Sequence, residues 1–156
     1  MSTFTFSPAP TTTGTSPELP LPRGLRAEAE QMTMTGFWNT YSPTSGPIEL
    51  GSWSASAPLA GRRRYDFSVD IRGTRQTSTA RAYGPVEAMT ESLHKAGLPI
   101  EIGEFHQQLT EAGWASYITC RYHDRTVWAA GVGRDGTEAT LRAMIAGANR
   151  LHGSRF

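Results

Sequence analysis

At 156 residues with a formal net charge of +1, the chain is the size of one compact domain and exerts no strong long-range pull on nucleic acid. Its single cysteine, Cys120, excludes an internal disulfide framework and fits a reducing compartment, so the cytoplasm is the expected location. No apolar stretch is long enough to suggest a signal peptide or a transmembrane helix, and no membrane partner is expected.

Residues 1–31 hold Pro8, Pro10, Pro17, Pro20 and Pro22, half of the ten prolines, set among Ser and Thr. Such a segment buries too little apolar surface to offset the entropy of ordering it, and a mobile arm is predicted. Residues 32–47 form a docking or linker segment in which Met32, Met34, Phe37, Trp38 and Tyr41 suggest burial on the core.

Ile48-Glu49-Leu50 begins an alternating strand that Trp53 extends. Tyr65, Phe67, Val69 and Ile71 share one face of the next strand, with Asp66, Ser68, Asp70 and Arg72 opposite, and a turn at Gly73-Thr74 returns the chain through residues 76–82. Gly84-Pro85 then opens a helix, because proline fits the first helical position, where a missing amide hydrogen costs nothing. Val86, Met89 and Leu93 recur at helical spacing, Glu91 and Lys95 form an outward acid–base pair, and Gly97 with Pro99 ends the helix.

The order then repeats. Ile100-Glu101-Ile102 starts a strand that continues through Phe105, Gln107 and Leu109, and a bulge near Gly103-Glu104 is needed to put Ile102 and Phe105 on one face. Trp114, Ile118, Cys120 and Tyr122 alternate with Ala115, Tyr117, Thr119 and Arg121 in the following strand. Residues 123–125 read as a turn and residues 126–132 as the returning strand. Asp135, with Glu138 three positions later, caps a second helix whose inward stripe is Leu141, Met144, Ile145 and Ala148, and whose outer side pairs Glu138 with Arg142.

The strand starts lie 52 residues apart and the helix pairs Glu87-Ala88 and Glu138-Ala139 lie 51 apart. The expected fold class is therefore α+β, with two βββα units over residues 48–151 and a tail at 152–156. The turns entering the helices, residues 82–84 and 131–136, become comparable places. Unpaired amides at a helix start favour a ligand carboxylate, and small side chains let it approach the backbone.

Evidence for catalysis is sparse. The four histidines, His94, His106, His123 and His152, show no metal-ligand spacing with one another or with Cys120, and no metal or cofactor is expected. Cys120 and His123 fall on opposite strand faces, which makes Cys120 a buried, inert thiol rather than a nucleophile. Gly131-Val132-Gly133 lacks the full dinucleotide-binding pattern. If chemistry occurs, it falls in a cleft between units or subunits, with Tyr83, Glu87 and His106 as candidates. Arg62-Arg63-Arg64, with Arg72, Arg75 and Arg81, keeps an RNA-binding sheet open as an alternative, although no RNA-binding motif is present. A purely structural association module is the third alternative.

The stretch Gly84-Pro85-Val86-Glu87-Ala88, the tract from Arg125 through Trp128, Ala129, Ala130 and Gly131, and the closing Ala143-Met144-Ile145-Ala146-Gly147-Ala148-Asn149-Arg150 together resemble the C-terminal regulatory domain of 2-isopropylmalate synthase. The resemblance covers residues 48–151. It implies two βββα units, a homodimer, and a bound leucine or related amino acid that regulates a distant catalytic barrel. The barrel itself does not fit within this length, which leaves three readings: regulation of a separate synthase or biosynthetic enzyme, a free-standing sensor, or association retained with sensing lost. The ligand-binding residues implied are Ala82, Tyr83, Gly84, Pro85, Val86, Glu87 and Ala88 in the first turn, and Ala129, Ala130, Gly131, Gly133 and Asp135 in the second. Ala80 and Ala82 stand where the family commonly has glycines, Tyr83 where it has Asn, and Glu87 where it has Asp. Added methyl groups narrow a pocket built on close backbone approach.

Overall fold

The computed structural model describes residues 21–43 and 46–155. Residues 1–20 of the expected arm lie outside the described residues. Its remainder is not an arm: α1 (Arg23–Glu28) is helical, and Leu21, Leu25 and Ala29 are buried. Leu25 points inward from α1 itself, while Leu21 just before the helix and Ala29 at its C-cap are buried with it. The next element, α2 (Met34–Tyr41), starts where the Thr33 hydroxyl accepts from the Gly36 amide at 2.9 Å. Phe37 and Tyr41 of α2 are fully buried, as the aromatic density of this segment suggests.

The first unit contains β1 (Ile48–Ala55), β2 (Arg63–Ile71), β3 (Thr74–Ala82) and α3 (Pro85–Lys95). The second contains β4 (Glu101–Thr110), β5 (Gly113–Tyr122), β6 (Arg125–Gly133) and α4 (Gly136–His152), followed by a short 3-10 turn at Gly153–Arg155. The architecture is thus the α+β arrangement of two βββα units. The strands make two separate antiparallel sheets, ordered β1-β2-β3 and β4-β5-β6.

Local chemistry explains the joints. The β2–β3 turn places Arg72 and Gly73 at φ of 52° and 84°, the left-handed pair that a two-residue hairpin prefers. Both first strands carry an irregularity at the same place: register shifts between Leu50 and Trp53 in β1, and between Ile102 and Phe105 in β4. The second is the bulge required by the alternation. There the Glu104 amide donates to Thr119 Oγ1 at 2.7 Å. In the first unit Ser68 Oγ, against which a Cβ at Gly51 would clash, has no partner among the described residues.

One core joins the two units. Tyr65, Phe67 and Val69 from β2, Met89 and Leu93 from α3, Ile118 and Cys120 from β5, and Leu141, Met144 and Ile145 from α4 belong to a single buried cluster. A second cluster lies on the opposite face of the second sheet, where Ala115, Tyr117, Trp128 and Ala130 meet Leu21, Leu25, Ala29, Phe37 and Tyr41. The central strand β5 is therefore covered on both faces, whereas among the described residues no element covers the corresponding polar outer side of the first sheet.

Two further expectations are corrected. Glu138 does not point outward into solvent but is buried beside Arg134 and Arg142. His152 does not begin a loose tail, because it completes α4, is fully buried, and its Nε2 lies 2.8 Å from the Pro99 carbonyl. Phe156 lies outside the described residues.

Candidate functional site

The two helix starts repeat one device. At α3, Glu87 Oε1 accepts from the Tyr83 amide at 3.0 Å. At α4, Glu138 Oε1 accepts from the Arg134 amide at 2.8 Å. In each case a glutamate in the first turn reaches back over the cap to the residue before it.

Beyond that common bond the starts differ. The α4 start carries a side-chain cap: the Asp135 carboxylate accepts from the Glu138 amide at 2.8 Å, and the Arg142 guanidinium donates to Glu138 Oε2 at 3.0 Å. Gln107 of β4 adds Nε2 hydrogen bonds to Ser116 Oγ and the Gly136 carbonyl, each at 2.9 Å. The Arg134 amide, followed by the Arg142 guanidinium, holds the Glu138 carboxyl below its ordinary value of 4.5 despite burial. The α3 start is open. Its cap residue Gly84 has no side chain, and Pro85 has no amide hydrogen. The Val86 and Glu87 amides point out of the first turn with no acceptor among the described residues. Glu87 and Tyr83 are exposed, and the Arg62 guanidinium lies over the Tyr83 ring at 5.5 Å.

The second half of the expected site takes a different part. Ala129 and Ala130 are fully buried, the first in the core with α4 and the second beneath α1 and α2, so neither reaches a ligand in this conformation. The smallness of Gly131 and Gly133 serves the helix instead. A Cβ at Gly131 would strike the Ala143 amide nitrogen, and one at Gly133 would lie 2.7 Å from the Ala139 amide nitrogen. No hydrogen bond, ion pair or ring contact joins residues 82–88 to residues 129–136 among the described residues.

The catalytic alternative is not assembled either. His106 sits on β4 with Nε2 3.0 Å from Glu104 Oε1 and its ring 6.2 Å from that of Trp128, apart from Tyr83 and Glu87 at the α3 start. Burial pushes the Cys120 thiol up to about 12, which keeps it protonated and inert. Among the described residues no group of three or more His, Cys, Asp or Glu is placed to hold a metal ion. No described helix is long and apolar enough to cross a membrane. For RNA, Tyr65 and Phe67 are stacked on each other in the core, which leaves the first sheet without a platform for bases.

A family model for the LeuA allosteric (dimerisation) domain matches residues 30–152. The chain belongs to the LeuA allosteric (dimerisation) domain family. Its relatives include the 2-isopropylmalate synthase of Paraburkholderia phytofirmans, 33% identical over 74% of this chain and 21% of that protein. That of Corynebacterium glutamicum is 32% identical over 80% of this chain and 22% of its own length, and that of Renibacterium salmoninarum 29% identical over 74% and 19%. The chain thus spans about a fifth of the length of these relatives. The match to the LeuA domain takes in α2 and both βββα units but begins after α1.

Gln107 was not among the expected site residues, yet it donates to the Gly136 carbonyl at the α4 start. Its signal is a polar residue set between Phe105 and Leu109 at the two-residue spacing of β4. Asn149 and Arg150 also have tasks that helical spacing does not reveal. The Asn149 side chain accepts from the Ile48 amide and donates to the Ile48 carbonyl. Arg150 donates to the Trp128 carbonyl at 2.6 Å and lies over the Tyr41 ring.

Proposed function

We propose that this LeuA domain self-associates and senses a small carboxylate metabolite, a branched-chain amino acid or the related 2-oxo acid, at the open start of α3. The carrying observation is the contrast between the two helix starts: at α4 the Asp135 carboxylate caps the Glu138 amide and Gln107 donates to the Gly136 carbonyl, while at α3 the cap residue has no side chain and the Val86 and Glu87 amides have no acceptor among the described residues. A carboxylate set there meets two amide donors and the positive end of the helix dipole. Glu87, held on the Tyr83 amide, presents its second oxygen to an ammonium group. The α-amino and α-carboxylate groups of one ligand fit this pairing of charges.

Self-association is supported by β4, an edge strand on which Phe105 and Leu109 remain 44% and 65% exposed. An apolar edge of this kind is stabilised when a second surface covers it. The relatives named above are synthases, and the proposed role is to regulate such a catalytic unit, as part of a larger assembly or acting on a separate synthase.

Isothermal titration calorimetry with leucine, isoleucine, valine and their 2-oxo acids tests ligand binding. Saturable heat with at least one of them, lost in Glu87→Gln for the amino acids, is expected. Silence across the whole series overturns the sensing role. Sedimentation equilibrium tests association, and a strictly monomeric chain would remove that half of the reading.

A further inference from the structure

Beside the proposed ligand site, the outer side of the first sheet carries a patch of guanidinium groups that the sensing role leaves unused. Arg64 on β2 stands directly opposite Arg81 on β3, and like charges in that relation are unfavourable. Arg64 is offset by Asp66 at 3.2 Å, but Asp66 is shared with the Thr79 hydroxyl at 2.7 Å. Neither Arg81 nor the neighbouring Arg62 has a carboxylate within ion-pair distance among the described residues, although Arg75, Arg121, Arg134, Arg142 and Lys95 all do. Among the described residues the Arg62 guanidinium donates only to the Arg81 carbonyl, at 3.4 Å.

The two most exposed large hydrophobic side chains of the described residues belong to the same place: Leu59 at 74% and Tyr83 at 69%. Both are held there. Leu59 and Arg62 exchange backbone hydrogen bonds at 2.7 and 3.1 Å across a turn with Ala60 and Gly61 at positive φ. The Tyr83 ring packs between that turn and the Arg62 guanidinium, with Cε1 3.4 Å from where a Gly61 side chain would begin. Fixed Arg and Tyr beside an exposed aliphatic group is the composition of an interface hot spot.

We propose that Leu59, Arg62, Arg64, Arg81 and Tyr83 form a docking surface for an acidic peptide segment of a partner protein, one that carries an apolar side chain among its carboxylates. The carboxylates relieve the opposed guanidiniums in bidentate fashion, and the apolar residue covers Leu59. RNA fits less well. One face of the Tyr83 ring is occupied by Arg62, Leu59 offers nothing to a phosphate, and a net charge of +1 provides no general attraction for a polyanion.

A phage-displayed random peptide library selected on the full chain tests this. Peptides with Asp or Glu flanking an apolar residue are expected to enrich, and a synthetic peptide of the selected sequence to bind more weakly as sodium chloride is raised. Affinity should fall about tenfold or more in the double variant Arg62→Ser/Arg81→Ser and several-fold in Leu59→Ser. All these side chains are exposed, so the circular dichroism melting curve should not move; if the serine variant unfolds, Arg62→Lys/Arg81→Lys replaces it, with weaker binding again expected from loss of the bidentate fork. Failure to enrich acidic peptides, or equal binding by the variants, overturns the proposal. So does tighter binding of a single-stranded uridine oligonucleotide lost in the same variants, or loss of self-association in them, which assigns the patch to a second copy of the chain.

Discussion

Asn149, near the end of α4, holds both backbone groups of Ile48 at the start of β1: its Oδ1 accepts from the Ile48 amide at 3.0 Å and its Nδ2 donates to the Ile48 carbonyl at 2.8 Å. The second helix is thereby tied to the first strand, 101 residues earlier. Asn149→Ala leaves the amide and carbonyl of a buried residue unpaired, and a loss of about 2–3 kcal/mol is expected. Urea denaturation measures it. An unchanged midpoint would mean that the tie contributes nothing.

Glycines at the two helix starts should respond oppositely to substitution. Gly131→Ala drives a methyl group into the backbone of α4, with an expected cost of about 2 kcal/mol or more. Gly84→Ala meets nothing within 4 Å, and φ of −160° is extended backbone that alanine adopts, so well under about 1 kcal/mol is expected. Thermal melts of both variants, with ligand titrations of the second, check the pair. Equal destabilisation would contradict the assignment of Gly131 to helix packing.

Glu138 makes stability depend on acid. Its carboxyl titrates below the ordinary 4.5 in the folded chain, so protons bind the unfolded chain more tightly. Stability from this group is fully present above 4.5 and is lost as pH falls through the lower folded value. Glu138→Gln should lower stability by about 1–2 kcal/mol at neutral pH, and the difference from the parent chain should shrink toward acid pH. A constant difference across that window argues against ionised Glu138 as the source.

Cys120 should resist thiol reagents. Its Sγ lies where a side chain at Gly147 would begin, and burial raises the thiol pKa to about 12. Ellman's reagent at mildly alkaline pH should label it only after denaturant is added. Labelling of the native chain at the rate of a free cysteine would show that the α4–β5 contact opens readily.

Much of this layout was legible in the residues. The bulge at Gly103 follows from Ile102 and Phe105 being three apart yet both apolar, and the α4 cap follows from Asp135 with Glu138. The α1 segment was obscured because Pro22 and its polar neighbours suggest a coil, while the spacing of Leu21, Leu25 and Ala29 becomes meaningful only with Trp128 and Ala130 beneath it. Gly131 and Gly133 carry an ambiguous signal. Small residues near a helix start suit either a ligand or a close-packed helix, and only the position of α4 separates the two. The closed state of Glu138 depends on Arg134, a turn residue whose direction no periodicity fixes.

The covering of the second sheet by α1 and α2, with no equivalent on the first among the described residues, has a consequence for assembly. A duplicated unit displays each of its surfaces twice per chain, and a surface that recurs along one direction lends itself to head-to-tail growth without closure. Leu25, Phe37 and Tyr41 remove one copy of one such surface from circulation. What remains is a chain whose two sheets present unlike outer faces, so a contact made by one face has no duplicate on the other.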